Sequence, residues 1–366
     1  MSDNANGKDN GSESVLRIGS RDSELAMKQT NMVKDALQKK HPHLKFEIVT
    51  MKTKGDKILD VALSKIGSKS LFTKELEVAL EDNLVDIVVH SLKDLPTTLP
   101  EGMVIGAVTE REDPRDAVIM HPKYSECKLA TLPKGSVIGT SSLRRGAQLK
   151  RKFPDLTFQS VRGNLNTRLR KLDEADDYAA LVLAVAGVVR MGWKERISEY
   201  LEDDVCMYAV GQGALAVECR EGDAATVELL SPLCHLDTTL RTIAERAFMR
   251  TLEGGCSAPV AVHSKITEDG ELHLKGGVWS LDGKEELVDT KSTSTTADDD
   301  EQDSTEPRVK RPKTPPENFC GLVPLRACEY SMSQAYSLGL TLAENLLEKG
   351  ARKILSDAKA GNAAVS

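Results

Sequence analysis

Short apolar strands alternate with helices twice along this chain, and that alternation constrains the fold more than any other feature. The strand-type segments are 15–19, 46–51, 85–89, 116–120, 137–139, 156–161 and 180–184. Between them lie helix-type segments through 25–37, after Thr73, at 142–152 and at 165–172. Alternation of this kind builds sheets that carry helices on both faces. The sequence therefore predicts two doubly wound α/β lobes, the second restarting near residue 116.

The two lobes begin alike. The sequence IGSR at 18–21 and the sequence IGTS at 138–141 each lead from a strand through a glycine and a hydroxyl residue into a helix. Helix N-termini offer free N–H groups and the positive end of the dipole, which suits anions. Ligands of such sheets bind outside the carboxyl ends of the strands. We therefore expect an anion site in a cleft between the lobes.

Local charge supports an anion site. The chain carries a formal net charge of −7, yet residues 139–170 hold eight Lys or Arg residues against the single acid Asp155. A focused positive region in an acidic chain suits an anionic ligand. Lys150, Arg151 and Lys152 fit a solvated helix face, whereas the arginines beside glycines at strand–helix junctions favour function. Those arginines are Arg144, Arg145, Arg162 and Arg168.

A third unit follows residue 235. Apolar residues recur at helical spacing from Leu240 to Leu252, and candidate strands lie at 260–266 and 272–279. Residues 290–316 are acidic, then basic, then proline-rich, so we expect a disordered or long surface loop there. The spacing of apolar residues in 331–349 predicts a final amphipathic helix, which ends at Gly350.

Several classes of protein are disfavoured. The polar N-terminus lacks the apolar stretch of a signal peptide, and no apolar run reaches the roughly 18 residues of a membrane span. Seven cysteines without a C-x-x-C pair indicate neither a disulfide framework nor a zinc site. The sequence GQGA at 211–214 matches no nucleotide-binding pattern. We expect a cytosolic monomer that binds no metal, membrane or nucleic acid.

Polar residues follow the buried strand at 85–89 in the sequence HSLKDLP. Asp94 is a candidate proton shuttle or cation stabiliser, and Lys93 could tune it or hold an anion. An ordinary turn capped by Asp94 before a proline is the alternative. His90, at the end of the strand, fits a structural role.

Cys256 follows the helix-like run and two glycines in LEGGCSAP. Paired glycines allow positive φ and a sharp turn that can expose the next side chain. The preceding helix C-terminus does not favour a thiolate, and His263 is the nearest histidine in sequence. A permanent tether, a recycling nucleophile and a structural thiol all remain open at this point.

The segments together resemble the porphobilinogen deaminase family, from about Val15 to the C-terminal helix. The motifs that carry the resemblance are GSRDSELAMKQT, TKGDKILD, KSLFTKELE, VVHSLKDLPT, REDPRDA, IGTSSLRRGAQL, VRGNLNTRLRKLD, AVAGVVRMGW, AVGQGALAVE and AERAFMRTLEGGCSAPVAV. Ser20 stands where threonine is usual. Asp22 and Glu24 occupy variable positions and add acid beside Arg21. The loop at 290–316 resembles an insertion in animal members of the family.

The resemblance implies an α/β fold with two doubly wound, periplasmic-binding-protein-like lobes and a smaller α+β C-terminal domain that carries the cofactor cysteine. It implies a disordered N-terminus at 1–14, a first domain at 15–113 and 212–234, a second at 114–211 and a third at 235–366.

It also implies an activity. The enzyme condenses four porphobilinogen molecules, each losing ammonia, into hydroxymethylbilane on a dipyrromethane cofactor held by a thioether to Cys256. Asp94 would contact the pyrrole N–H groups, assist the loss of ammonia and stabilise the azafulvene cation. The residues implied to bind the cofactor are Lys93, Asp94, Ser141, Ser142, Arg144, Arg145 and Arg168. Those implied to bind substrate are Arg21, Ser23, Gln29, Arg162 and Arg190.

Two other functions share some of these features. A non-catalytic two-lobed anion-binding protein would have no reason to present a cysteine on a glycine turn. A nucleic-acid-binding protein would use the arginines, but only 4% of the residues are aromatic and the net charge is negative.

Overall fold

A computed structural model of the chain describes residues 15–53, 73–252, 258–296, 319–325 and 328–364. Three sequence predictions fall outside them wholly or in large part. These are the disorder at 1–14, the loop at 290–316 and the attachment residue Cys256.

The strands are β1 (Val15–Arg21), β2 (Lys45–Met51), β3 (Ile87–Ser91), β4 (Met103–Val108), β5 (Asp116–Met120), β6 (Val137–Gly139), β7 (Thr157–Gln159), β8 (Ala180–Ala184), β9 (Glu199–Leu201), β10 (Leu215–Arg220), β11 (Val260–Ile266), β12 (Glu271–Trp279) and β13 (Glu286–Ser294). The helices are α1 (Glu24–Lys40), α2 (Lys74–Glu81), α3 (Leu143–Lys152), α4 (Leu165–Glu174), α5 (Val185–Met191), α6 (Ala224–Leu230), α7 (Leu236–Thr251), α8 (Glu329–Glu348) and α9 (Ala351–Ala364).

Two five-stranded sheets share one topology. Their strand orders are β2-β1-β3-β10-β4 and β7-β6-β8-β5-β9. The first three strands of each order are parallel, and the fourth, which arrives from the other lobe, is antiparallel. The expected α/β class with two doubly wound lobes is confirmed.

The strands at the centre of each sheet are buried on both faces. The side chains from Ile87 to His90 and from Ala180 to Leu183 are all buried. Unbroken apolar runs are typical of strands covered by helices on both sides, whereas half-exposed strands alternate. This packing places the polar residues that follow β1 and β3 at one edge of the first sheet.

The third unit is α+β. Strands β11, β12 and β13 form an antiparallel sheet, and α7 packs against α8. A Cβ atom on Gly339 would lie 2.1 Å from the Ala244 carbonyl oxygen, so only glycine lets α8 approach α7 this closely.

Several predicted boundaries were wrong. The strand expected at 85–89 is Ile87–Ser91. Residues 290–294, expected in a disordered loop, complete β13, because backbone pairing with β12 orders a polar segment whose composition suggests a loop. The helix ended by Gly350 (φ +101°) is not the last, because α9 follows it. Strands β4, β9 and β10 were not predicted. In the described part of the chain, no helix combines the length and apolar character needed to cross a bilayer.

Candidate active site

A cavity of about 710 Å³ lies between the two lobes. Its walls contain most of the residues that the sequence singled out. They are Arg21, Ser23, Gln29, Lys93, Asp94, Arg145, Arg162, Arg168 and Arg190. Both lobes contribute, so the expected anion site in the cleft has a matching set of cations.

Loops and helix starts bring these side chains together. Arg21 ends β1, and Ser23 is the N-cap residue of α1. Lys93 and Asp94 lie in a single 3-10 turn directly after β3. Because β1 and β3 run parallel, their carboxyl ends open onto the same edge.

The opposite wall comes from lobe 2. Arg162 and Arg168 flank the start of α4, where the Asn164 side chain accepts a hydrogen bond from the Thr167 N–H and caps the helix. Arg190 lies near the end of α5 and donates to the Gly213 carbonyl at 2.6 Å.

Burial, with smaller contributions from neighbouring cations, lowers the pKa of two of these cations. Burial lowers the pKa of Lys93 to about 8, with Asp94 opposing the decrease and Arg145 adding to it. Burial, reinforced by Arg145 and Arg162, lowers the pKa of Arg168 to about 10. An anionic ligand would favour the charged forms of Lys93 and Arg168, and so oppose the lowering of their pKa values.

Asp116 organises lobe 2 behind the cavity. Its carboxylate is fully buried and accepts hydrogen bonds from Arg144 Nη1 at 2.7 Å, Arg145 Nη2 at 2.7 Å and Gln212 Nε2 at 2.9 Å. Burial alone would raise the pKa of Asp116, but the two guanidinium groups hold it well below its usual range. Asp116 and Gln212 were not predicted as site residues, although they lie inside the family motifs REDPRDA and AVGQGALAVE.

Three expected cofactor ligands do not line the cavity. Arg144 donates to the Met207 carbonyl at 2.7 Å as well as to Asp116. Ser141 bonds to the Val161 carbonyl, and Ser142 caps α3 by accepting from the Arg145 N–H. These side chains support the start of α3, whose first turn presents Arg145.

Two other expectations concern His90 and metal binding. His90 is buried, and its Nε2 lies 2.9 Å from Glu218 Oε2, which confirms a structural role. Within the described ranges, no three His, Cys, Asp or Glu side chains are arranged to hold a metal ion.

The cavity wall suits a ligand that carries several carboxylates, such as the dipyrromethane cofactor. Among the described residues, Arg145 Nε and Arg190 Nε are buried donors that have no hydrogen-bond acceptor. Guanidinium groups bind carboxylates through paired N–H donors. Arg21 of lobe 1 lines the same cavity as Arg145 and Arg190 of lobe 2, so both lobes can bind carboxylates of one extended molecule.

Comparison with known families agrees with this geometry. Residues 16–228 match the family model described as the porphobilinogen deaminase dipyromethane cofactor binding domain, and residues 239–306 match the porphobilinogen deaminase C-terminal domain. The chain belongs to the porphobilinogen deaminase family.

Curated relatives extend the match. The chain is 59% identical over 268 residues to a porphobilinogen deaminase of Gloeobacter violaceus, covering 73% of this chain and 81% of the relative. It is 49% identical over 342 residues to one of Synechococcus elongatus, covering 93% and 95%. Both relatives are cyanobacterial, so they give no support to the expected animal subtype.

Similarity to solved structures is weak. A periplasmic arginine-binding protein of Salmonella typhimurium has a TM-score of 0.35 and 16% identity, covering 60% of this chain and 91% of that one. The sulfate-bound OxyR2 regulatory domain of Vibrio vulnificus also has a TM-score of 0.35, with 14% identity, covering 60% and 96%.

Proposed function

We propose that this chain is a porphobilinogen deaminase, which condenses four porphobilinogen molecules head to tail into hydroxymethylbilane and releases ammonia at each addition. The observation that carries the proposal is the interlobe cavity, where cations from both lobes surround the turn that holds Lys93 and Asp94. Each porphobilinogen bears two carboxylates, so a growing chain requires such a wall.

Within this proposal the cations divide between two ligands. Lys93, Arg145 and Arg168 hold carboxylates of the dipyrromethane cofactor, which supplies the primer that is extended and is attached through Cys256. Direct cofactor contact by Arg144, Ser141 and Ser142 stays a prediction. The residues proposed to bind substrate are Arg21, Ser23, Gln29, Arg162 and Arg190.

Asp94 is the proposed catalytic group. It is exposed to the cavity and follows Lys93, whose ammonium keeps the local field positive at neutral pH. The carboxyl group of Asp94, when protonated, can give a proton to the leaving amine, and the carboxylate that remains lowers the energy of the positive charge that develops on the pyrrole as ammonia leaves.

Turnover of porphobilinogen by the purified protein tests this assignment. We expect Asp94→Asn to fold normally but to lose at least about a hundredfold in kcat, because the amide keeps the shape and removes both the charge and the proton that the carboxyl group can give. Asp22→Asn, a change at another acid of the cavity wall, is the matched control and should retain most activity. Near-normal turnover by Asp94→Asn would reassign the catalytic role.

We also propose that the protein acts as a cytosolic monomer without metal. The animal subtype rests on the composition of residues 290–316 alone and stays a prediction.

A further inference from the structure

The two lobes touch at the mouth of the cavity through polar side chains. Asn166 Nδ2, in the first turn of α4, donates to Glu24 Oε2, in the first turn of α1, at 2.5 Å. Lys28 Nζ donates to the Met191 carbonyl oxygen at 3.1 Å and lies 3.4 Å from Glu24 Oε1. We call Glu24, Lys28 and Asn166 the interlobe clasp.

An apolar seam lies beside the clasp. A Cβ atom on Gly187 would lie 3.2 Å from Leu165 Cδ1 and 3.9 Å from Leu25 Cδ2, so leucines from both lobes converge on this glycine. Leu25, Leu165 and Gly187 also line the cavity. The clasp is therefore part of a larger contact between the lobes that includes apolar packing, and it is not an isolated surface pair.

The clasp joins two of the segments that carry substrate-binding arginines, those of Arg21 and Arg162. Glu24 is three residues after Arg21, and Asn166 lies between Arg162 and Arg168. Any change in the separation of α1 from α4 would change the spacing of these arginines, because each is attached to the same helix start as a clasp residue.

We propose that Glu24 and Asn166 are positioning residues, whose hydrogen bond sets the spacing between Arg21 of lobe 1 and Arg162, which directly precedes α4, and thereby the affinity for a dicarboxylate pyrrole. The inference rests on the proposed function. It also gives a role to Glu24, which the sequence showed only as an extra acid beside Arg21.

The chemistry of the pair fixes its polarity. An ionised carboxylate only accepts hydrogen bonds, so the amide nitrogen of Asn166 must be the donor. This bond, with help from Lys28, holds the pKa of Glu24 below its ordinary value. Glu24 is therefore charged at neutral pH, and a second carboxylate at position 166 would repel it.

Steady-state kinetics with porphobilinogen test the proposal. We expect Glu24→Ala and Asn166→Ala each to raise KM about threefold to fivefold while kcat changes less than about twofold, as an exposed charge-assisted bond allows. Glu24→Gln should stay near wild type, because its amide oxygen still accepts from Asn166. Asn166→Asp should raise KM further than Asn166→Ala.

A reversed pair provides the decisive variant. In Glu24→Gln combined with Asn166→Asp, the glutamine amide donates to the new carboxylate, so KM should return to within about twofold of wild type. Asp173→Ala is the matched control. Asp173 lies on α4, as Asn166 does, but its ion pair with Arg196, at 2.7 Å, stays within lobe 2. Its KM should not change.

Three results would overturn the proposal. They are an unchanged KM in both alanine variants, a reversed pair no better than Asn166→Asp alone, and an equal rise in KM for Asp173→Ala. Inactive wild-type protein would instead refute the proposed function. Melting temperatures of all variants, measured alongside, separate a loss of fold from a loss of affinity.

Discussion

The buried ammonium group of Lys93 lowers the stability of the folded protein. Burial lowers its pKa from 10.5 to about 8 in the folded protein. A decrease of that size corresponds to about 3 kcal/mol of destabilisation below pH 8. Lys93→Met, which keeps the unbranched stem and removes the ammonium, should therefore stabilise the protein by up to about 3 kcal/mol at pH 7.

The sign of the pH dependence follows from the same shift. Between the folded pKa near 8 and the unfolded value of 10.5, the unfolded chain binds more protons at this lysine, so the stability of the wild type rises with pH there. The advantage of Lys93→Met should accordingly shrink to about 2 kcal/mol at pH 9.

Urea denaturation at pH 7 and pH 9 measures both quantities. Lys150→Met, at an exposed lysine of α3, is the control and should change stability little at either pH. The reasoning is refuted if Lys93→Met is no more stable than wild type at pH 7, or if its advantage does not shrink at pH 9. Lys93→Met should at the same time carry less of the dipyrromethane cofactor, since functional sites commonly trade stability for charge.

Two further substitutions test the packing behind the site. Asp116→Asn should lower the free energy of unfolding by about 3–5 kcal/mol, because it leaves two buried guanidinium groups without their carboxylate. Asp173→Asn, at a more exposed ion pair, should cost about 1 kcal/mol or less. Equal losses of stability in thermal unfolding would contradict this prediction. Gly213→Ala should yield little folded protein, because its Cβ atom would lie 2.3 Å from the Glu112 carbonyl oxygen at a φ of +92°; a normal yield with an unchanged melting temperature would be the contrary result.

Sequence predicted the bounds of some strands and missed others, and burial alone does not separate the two groups, because β4 is buried throughout and was not predicted. Strands β5, β6 and β8 have the bounds that were expected, because apolar runs between turn residues define them. Strand β10 was missed because Glu218 interrupts its apolar pattern. That carboxylate is fully buried beside His90, a partner 128 residues away.

Sequence also located the cations but not their partners. Arg144 and Arg145 are adjacent and look equivalent, yet a helix turns by about 100° per residue, so one faces Met207 and the other the cavity. The ion pairs of Asp116 join it to arginines 28 and 29 positions away within lobe 2, and the interlobe clasp depends on the relative placement of the two lobes. No local pattern encodes that placement.

The central claim is that this chain builds tetrapyrroles on a primer carried by Cys256. The most direct measurement is the intact mass of the protein purified from cells that make porphobilinogen, followed by peptide mapping. The account predicts an excess mass equal to two condensed pyrrole units, confined to the peptide that contains Cys256 and lost in Cys256→Ser. An unmodified mass for the wild-type protein would contradict it.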